Sequence, residues 1–257
     1  MEKNKDCVIL VTSCYKYKDV LKNFEIFFTK HWSDCPFEIW LSMDKTVDTD
    51  YKYDKIILSD HPQNMLRMRD IQFTTPYVIM MQDDHWLIED VDTEKILNCI
   101  DFAKKYDCGN LRLLRDPMTQ EVFSEEEKLF IYNPGTAYRI SARGGLWNTQ
   151  YLELFINKYA DFWELERFGN DYSCKLPQKV LATKNRVLPI IDAVHKGKYE
   201  DFALFMLDAN EIEPERPAMS SKEKFIESLK AAILGINPDL ITKMQSKLNI
   251  GYKAKYK

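Results

Sequence analysis

Five apolar residues, Tyr77 to Met81, are followed by Gln82 and then by two adjacent carboxylates, Asp83 and Asp84. With Gln82 this run reads as a strand over Tyr77 to Gln82, buried on both faces. Such a strand needs a sheet covered by helices, so this run by itself argues for an α/β layer architecture. Two carboxylates delivered into a loop from a buried strand are costly unless a partner offsets their charge. Hard oxygen donors of this kind suit Mg²⁺ or Mn²⁺. The plain alternative is a strand that surfaces and ends in a polar turn.

The segments before this run agree with the same architecture. Cys7 to Ser13 (CVILVTS) reads as a buried strand leading into a loop. Lys18 to Trp32 carries Val20, Leu21, Phe24, Phe27 and Phe28 at helical spacing. Phe37 to Ser42 and Lys55 to Leu58 read as strands, and Asn64 to Phe73 as a helix. Strand, helix, strand, strand, helix, strand predicts a Rossmann-like mixed sheet, mostly parallel and flanked by helices. Ligands of such sheets lie at the carboxyl ends of the strands. The loops expected there are Thr12–Lys16, Met43–Lys45, Ser59–Pro62 and Asp83–His85.

Further along, Val91 to Tyr106 reads as a surface helix and Asn110 to Leu114 as a strand. Glu121 to Lys128 is polar and reads as loop or short helix. Gly144-Gly145 marks a turn, Tyr151 to Ala160 and Phe162 to Cys174 read as helices, and Val187 to Val194 as a strand. Ser220 to Glu223 can cap a helix running to Leu234, and a second helix is expected from Asp239 to Leu248, before the basic tail Lys253, Lys255 and Lys257.

Thirty-six Lys and Arg against 40 Asp and Glu give a net charge of −4, which argues against a nucleic-acid partner. No apolar run approaches the roughly 18–20 residues that span a bilayer. The apolar stretch Cys7 to Val11 is short for the core of a signal peptide, so a cytoplasmic location is expected. The six cysteines form no C-x-x-C pair and are expected to be reduced. The motifs of P-loop nucleotide hydrolases, dinucleotide-binding folds and α/β-hydrolases are missing.

Four strands in this order, ending in apolar strand, Gln82-Asp83-Asp84 and a second apolar run, resemble nucleotide-sugar-dependent glycosyltransferases of the GT-A fold, of the kind that build bacterial polysaccharide or lipopolysaccharide. The resemblance covers about residues 7–200. It implies a donor half over about 1–90, an acceptor half over about 91–205, and a helical extension over 206–257. It implies that Asp84 touches a Mn²⁺ or Mg²⁺ ion, while Asp83 lies near the donor ribose or a metal-bound water. Gln82 stands where the family's D-x-D motif has its first carboxylate, a departure that puts strict metal dependence in doubt. By the same resemblance Thr12, Ser13 and Tyr15 cup the nucleotide and Asp44 meets the base. Arg67 and Arg69 contact base or phosphate, the alternative being a solvated helix face.

The second half resembles the family's acceptor region. Glu166 is the favoured general base, Glu164 the runner-up and Asp171 a third candidate; the alternative is that these are ordinary acids of a helix start. His195 would be a metal ligand, with Lys196 and Lys198 on the diphosphate and Gly197 letting the segment fold over the donor. Trp163 and Trp147 would line the acceptor site. The expected activity is a metal-dependent, inverting transfer from a nucleotide diphosphate sugar, UDP-linked, to a hydroxyl of a glycan or lipid-linked glycan. The C-terminal helices would touch the inner membrane face. The rivals are a nucleotidyltransferase and a degenerate transferase fold that binds glycan without turnover.

Overall fold

The computed structural model describes residues 3–114, 121–136 and 138–236. The first half alternates as expected: β1 (Cys7–Thr12), a 3-10 turn over Tyr15–Tyr17, α1 (Lys18–His31), β2 (Glu38–Met43), β3 (Lys55–Leu58), α2 (Asn64–Met68) and β4 (Tyr77–Gln82). α2 stops five residues short of its expected end. Past Arg69 the chain turns so that Ile71 can enter the core, and tertiary burial overrides helical spacing.

The rest runs β5 (His85–Leu87), α3 (Thr93–Lys105), β6 (Cys108–Arg112), β7 (Val122–Ser124), β8 (Leu129–Ile131), β9 (Gly145–Asn148), α4 (Thr149–Ile156), α5 (Phe162–Ser173), β10 (Lys179–Thr183), β11 (Ile190–Asp192), β12 (Val194–His195), β13 (Lys198–Tyr199), α6 (Asp201–Ala209) and α7 (Ser221–Ile236). The polar stretch after Glu121, expected as loop or short helix, forms the hairpin β7–β8. The helix expected over 239–248 and the three tail lysines lie outside the described residues.

Among the described residues, nine strands form one sheet in the order β3-β2-β1-β4-β9-β6-β10-β8-β7. β3, β2, β1 and β4 are parallel, as are β6 and β10. β9 runs against both β4 and β6, and β8 against β10. This is the mixed, mostly parallel α/β sheet expected from the sequence. Its two faces follow from strand alternation. Cys7, Ile9 and Val11 of β1 pack with α1 and α3, while Val8 and Leu10 pack with α2, α4 and α5. Phe24, Phe27 and Phe28 of α1 are fully buried on the first face, and each contributes about 1.5–3 kcal/mol.

Register sets the site. Thr12 lies opposite Ser42 of β2 and Gln82 of β4, so three strands end level and their loops leave one rim. β5 then pairs antiparallel with β11, setting His85 opposite Asp192. β12 and β13 form a tight hairpin whose turn residues, Lys196 (φ 51°) and Gly197 (φ 81°), are both left-handed, the conformation that matches hairpin twist. α6 spans the boundary expected at residue 205. Beyond it the chain returns to β13: Tyr199 donates its N–H to the Pro217 carbonyl and accepts from that of Met219. Among the described residues no helix is long and apolar enough to cross a membrane.

Candidate active site

At the rim, Asp83 and Asp84 leave β4 side by side and both are largely buried. The Ser13 hydroxyl donates to Asp83 Oδ2 at 2.5 Å, and the Asp83 N–H donates to the Thr12 carbonyl at 3.2 Å. Burial pushes the Asp83 carboxyl up to about 7; the Ser13 bond and the charge of Arg216 oppose that rise. Asp84 is raised well above the usual carboxylate range, by burial first and then by the like charges of Asp83 and Asp192. Its Oδ1 is buried and accepts no hydrogen bond. A buried, unpartnered carboxylate oxygen beside a second carboxylate is a place where a cation would lower the free energy.

Charged side chains hold the backbone of the loop after β1. Asp44 Oδ1 accepts the Tyr15 N–H at 2.6 Å. Arg67 Nη2 donates to the Ser13 carbonyl at 2.9 Å, and its Nη1 to the carbonyls of His61 and Pro62 at 3.0 Å each. Arg67 is therefore buried and occupied with main-chain acceptors; it shapes the loop and does not offer a free fork to phosphate. Thr12 Oγ1 points back to the Met81 carbonyl at 3.4 Å. Arg69 lies elsewhere: its Nε and Nη2 donate to the carbonyls of Ile156 and Asn157 at the end of α4.

On the far side of Asp84 stands a polar group that sequence reasoning missed. Arg143 Nε donates to Asp192 Oδ1 at 2.9 Å, and its charge partly offsets that of Asp84. His85 is fully buried, and burial lowers its pKa to about 4, so its ring is neutral. Its Nδ1 accepts the Gln82 N–H at 3.1 Å, which leaves the proton on Nε2, 3.7 Å from Asp192 Oδ1. Gln82 thus orients the imidazole through its main-chain N–H, a role that does not depend on its side chain. Asp192 closes a strand three residues before His195, a spacing that could have marked it.

The α5 candidates separate. Glu166 Oε1 accepts from Ser141 Oγ at 2.7 Å and from the Ala142 N–H at 3.0 Å, one residue before Arg143. It is thereby linked through that loop to the Asp84 side of the rim. Glu164 instead accepts the Ala160 N–H at 2.8 Å, while Asp161 caps the Glu164 N–H at 2.9 Å, so Glu164 belongs to the helix start. Asp171 is exposed near the end of α5. Trp163 is 74% exposed one turn before Glu166, whereas Trp147 is fully buried against Tyr151 and Phe155 and lies in the core, out of reach of an acceptor.

His195 is half-buried on the β12–β13 hairpin, opposite Lys198. Lys198 Nζ pairs with both oxygens of Glu223 on α7, at 2.7 and 2.9 Å. Lys196 sits in the turn with Gly197. Arg216, also missed, lies beside that turn. It sits between Pro214 and Pro217, a composition that marks a stiff loop and was the available signal. Among the described residues no three His, Cys, Asp or Glu side chains cluster as a metal cage. An ion at the Asp84 oxygen would have to take the rest of its ligands from a bound anion and water.

No family model and no curated protein matches the chain. Among solved structures it is similar to S. aureus TarS 1–349 in complex with UDP-GlcNAc, at 11% identity and a TM-score of 0.48, over 76% of this chain and 60% of that one. It is also similar to 2-C-methyl-D-erythritol 4-phosphate cytidylyltransferase from Thermus thermophilus, at 12% identity and a TM-score of 0.46, over 82% of this chain and 98% of that one. The chain spans 60% of the length of that TarS fragment. These are likenesses of shape and assign no activity.

Proposed function

We propose that this chain is a nucleotide-sugar-dependent glycosyltransferase that moves a sugar from a UDP-linked donor to a hydroxyl of a glycan or lipid-linked glycan. The observation that carries the reading is the buried Asp83–Asp84 pair at the level ends of β1, β2 and β4, with an unpartnered Asp84 oxygen. Strand ends of an open α/β sheet are where such folds bind ligands. The donor nucleoside lies in the loop after β1, with Asp44 at the base and Asp83 toward the ribose. Asp84 and His195 would hold Mn²⁺ or Mg²⁺, which when bound neutralises charge on the departing diphosphate. Lys196 adds positive charge there; Lys198, the other lysine expected on the diphosphate, would first have to leave its pair with Glu223.

Glu166 takes the proton from the acceptor hydroxyl as its oxygen attacks the anomeric carbon and the bond to the diphosphate breaks, so the centre inverts. Two donors already fix Oε1, which leaves Oε2 as the base. Trp163 gives the acceptor sugar an aromatic face. Peripheral contact with the inner membrane face belongs to the same proposal, supported by the exposed Phe225, Ile226 and Leu229 of α7.

Thermal unfolding against a panel of nucleoside diphosphates, with and without Mn²⁺, tests the reading. UDP with Mn²⁺ should raise the midpoint by mass action, and Asp84→Ala should remove the shift. If no nucleotide shifts it under any metal, the donor site is absent. Gln82 in the carboxylate motif favours one second reading, a fold that binds glycan without turnover; that protein would respond to glycans alone.

A further inference from the structure

Arg216 is held from several sides at once. Its Nε and Nη2 grip Asp19 on α1 at 2.5 and 2.7 Å, with the two side chains only 12% and 11% exposed. Nη2 also donates to the Lys16 carbonyl at 2.8 Å, and the guanidinium lies 4.2 Å from the centre of the Tyr17 ring. A bidentate, stacked and largely dry guanidinium is far more restrained than a surface ion pair. A β-carbon on Gly197 would sit 3.8 Å from its Nη1 and 3.9 Å from the Tyr17 hydroxyl, so the hairpin turn lies beside the same group.

The loop after β1 thus has three handles on its main chain. Arg67 holds the Ser13 carbonyl, Asp44 the Tyr15 N–H and Arg216 the Lys16 carbonyl. The first two come from the neighbouring strand and helix. The third comes from a segment about 200 residues away that is also paired to β13, directly after the His195 hairpin.

We propose that Arg216 is a positioning residue of the donor site. It locks the nucleoside loop to the segment over 216–219, so that the nucleoside pocket is set by one guanidinium. This role rests on the donor-site reading above. It concerns the nucleoside first, because the groups it fixes are Lys16 and Tyr17 next to Tyr15 and Asp44; toward the carboxylate pair it acts through its charge on Asp83.

The test is calorimetric titration of the full chain with UDP and, separately, with inorganic pyrophosphate, both with Mn²⁺, on wild type, Arg216→Ala, Arg216→Lys, Asp19→Asn and the Arg216→Ala/Asp19→Asn double variant. Unfolding midpoints confirm that each is folded at the titration temperature. Arg216→Ala should weaken UDP by about tenfold or more while pyrophosphate stays within about twofold. Arg216→Lys, which keeps the charge but loses the fork, should recover part of the loss. The double variant should bind no worse than Arg216→Ala alone, because the two side chains act as one unit. UDP affinity within about twofold of wild type in folded Arg216→Ala overturns the role, as does an equal loss for UDP and pyrophosphate. A wild-type chain that binds neither ligand overturns the donor-site reading, and this role with it.

Discussion

Replacing Asp83 by Asn should stabilise the metal-free protein, and by an amount that depends on pH. The Asp83 carboxyl is buried and its pKa rises from 3.8 to about 7 in the fold. A carboxyl whose folded pKa exceeds its unfolded one favours folding only while protonated. Its contribution is complete below about pH 4 and is lost as pH rises through 7. About three units at 1.36 kcal/mol each give about 4 kcal/mol between acid and pH 8. Asn carries no charge and can still accept from Ser13, so Asp83→Asn should lack that loss. With an unfolding entropy of roughly 2.1 cal/mol/K per residue, 4 kcal/mol corresponds to about 7 °C in a chain of 257 residues. Midpoints in chelator, from pH 4.5 to 8.5, should show a variant nearly equal to wild type in acid and about 7 °C above it at pH 8. A difference independent of pH, or a variant less stable at pH 8, would refute the argument that burial controls this carboxylate.

Three further outcomes follow from the contacts. Glu166→Gln keeps an acceptor for Ser141 and Ala142, so initial rates should drop by about 10²–10⁴ while UDP binding by thermal shift stays unchanged. Arg69→Ala removes two hydrogen bonds to the end of α4 and should cost about 1–2 kcal/mol in denaturant titration, with no effect on UDP affinity. Gly109→Ala would place a β-carbon 2.7 Å from the buried Tyr151 ring, and should cost about 1–3 kcal/mol by the same titration.

The sequence is most legible where one physical effect dominates. β3 and β4 have the bounds expected, because unbroken apolar runs flanked by polar residues admit little else. β10 went unnoticed although it is central in the sheet: Lys179–Thr183 is short, and its burial comes from β6 and β8 rather than from its own pattern. α6 was hidden because FALFML is apolar nearly all round and shows no clear stripe. In the site, the Asp83–Asp84 pair was visible as a contradiction between burial and charge. Whether a given Arg or Glu faces solvent, a carbonyl or the rim was not. Arg67, Arg69 and Glu164 have the composition of ligand-binding residues, yet the structure occupies them with main-chain groups that no spacing rule announces. Arg143, Asp192 and Arg216 gain their places from tertiary folding across long sequence separations.

The reversed strand β9 has a consequence for how substrates enter. It is hydrogen-bonded to β4 on one side and β6 on the other, so the first and second halves of the sheet share one uninterrupted ladder. Two halves welded in this way cannot part like a clamshell. The ladder also carries the Gly144 corner, and Arg143 with it, to the rim where β4 ends, so the spacing between Arg143 and the carboxylate pair is rigid. If the function proposed above holds, any movement that admits substrate falls to surface segments such as the hairpin bearing His195 and not to the sheet.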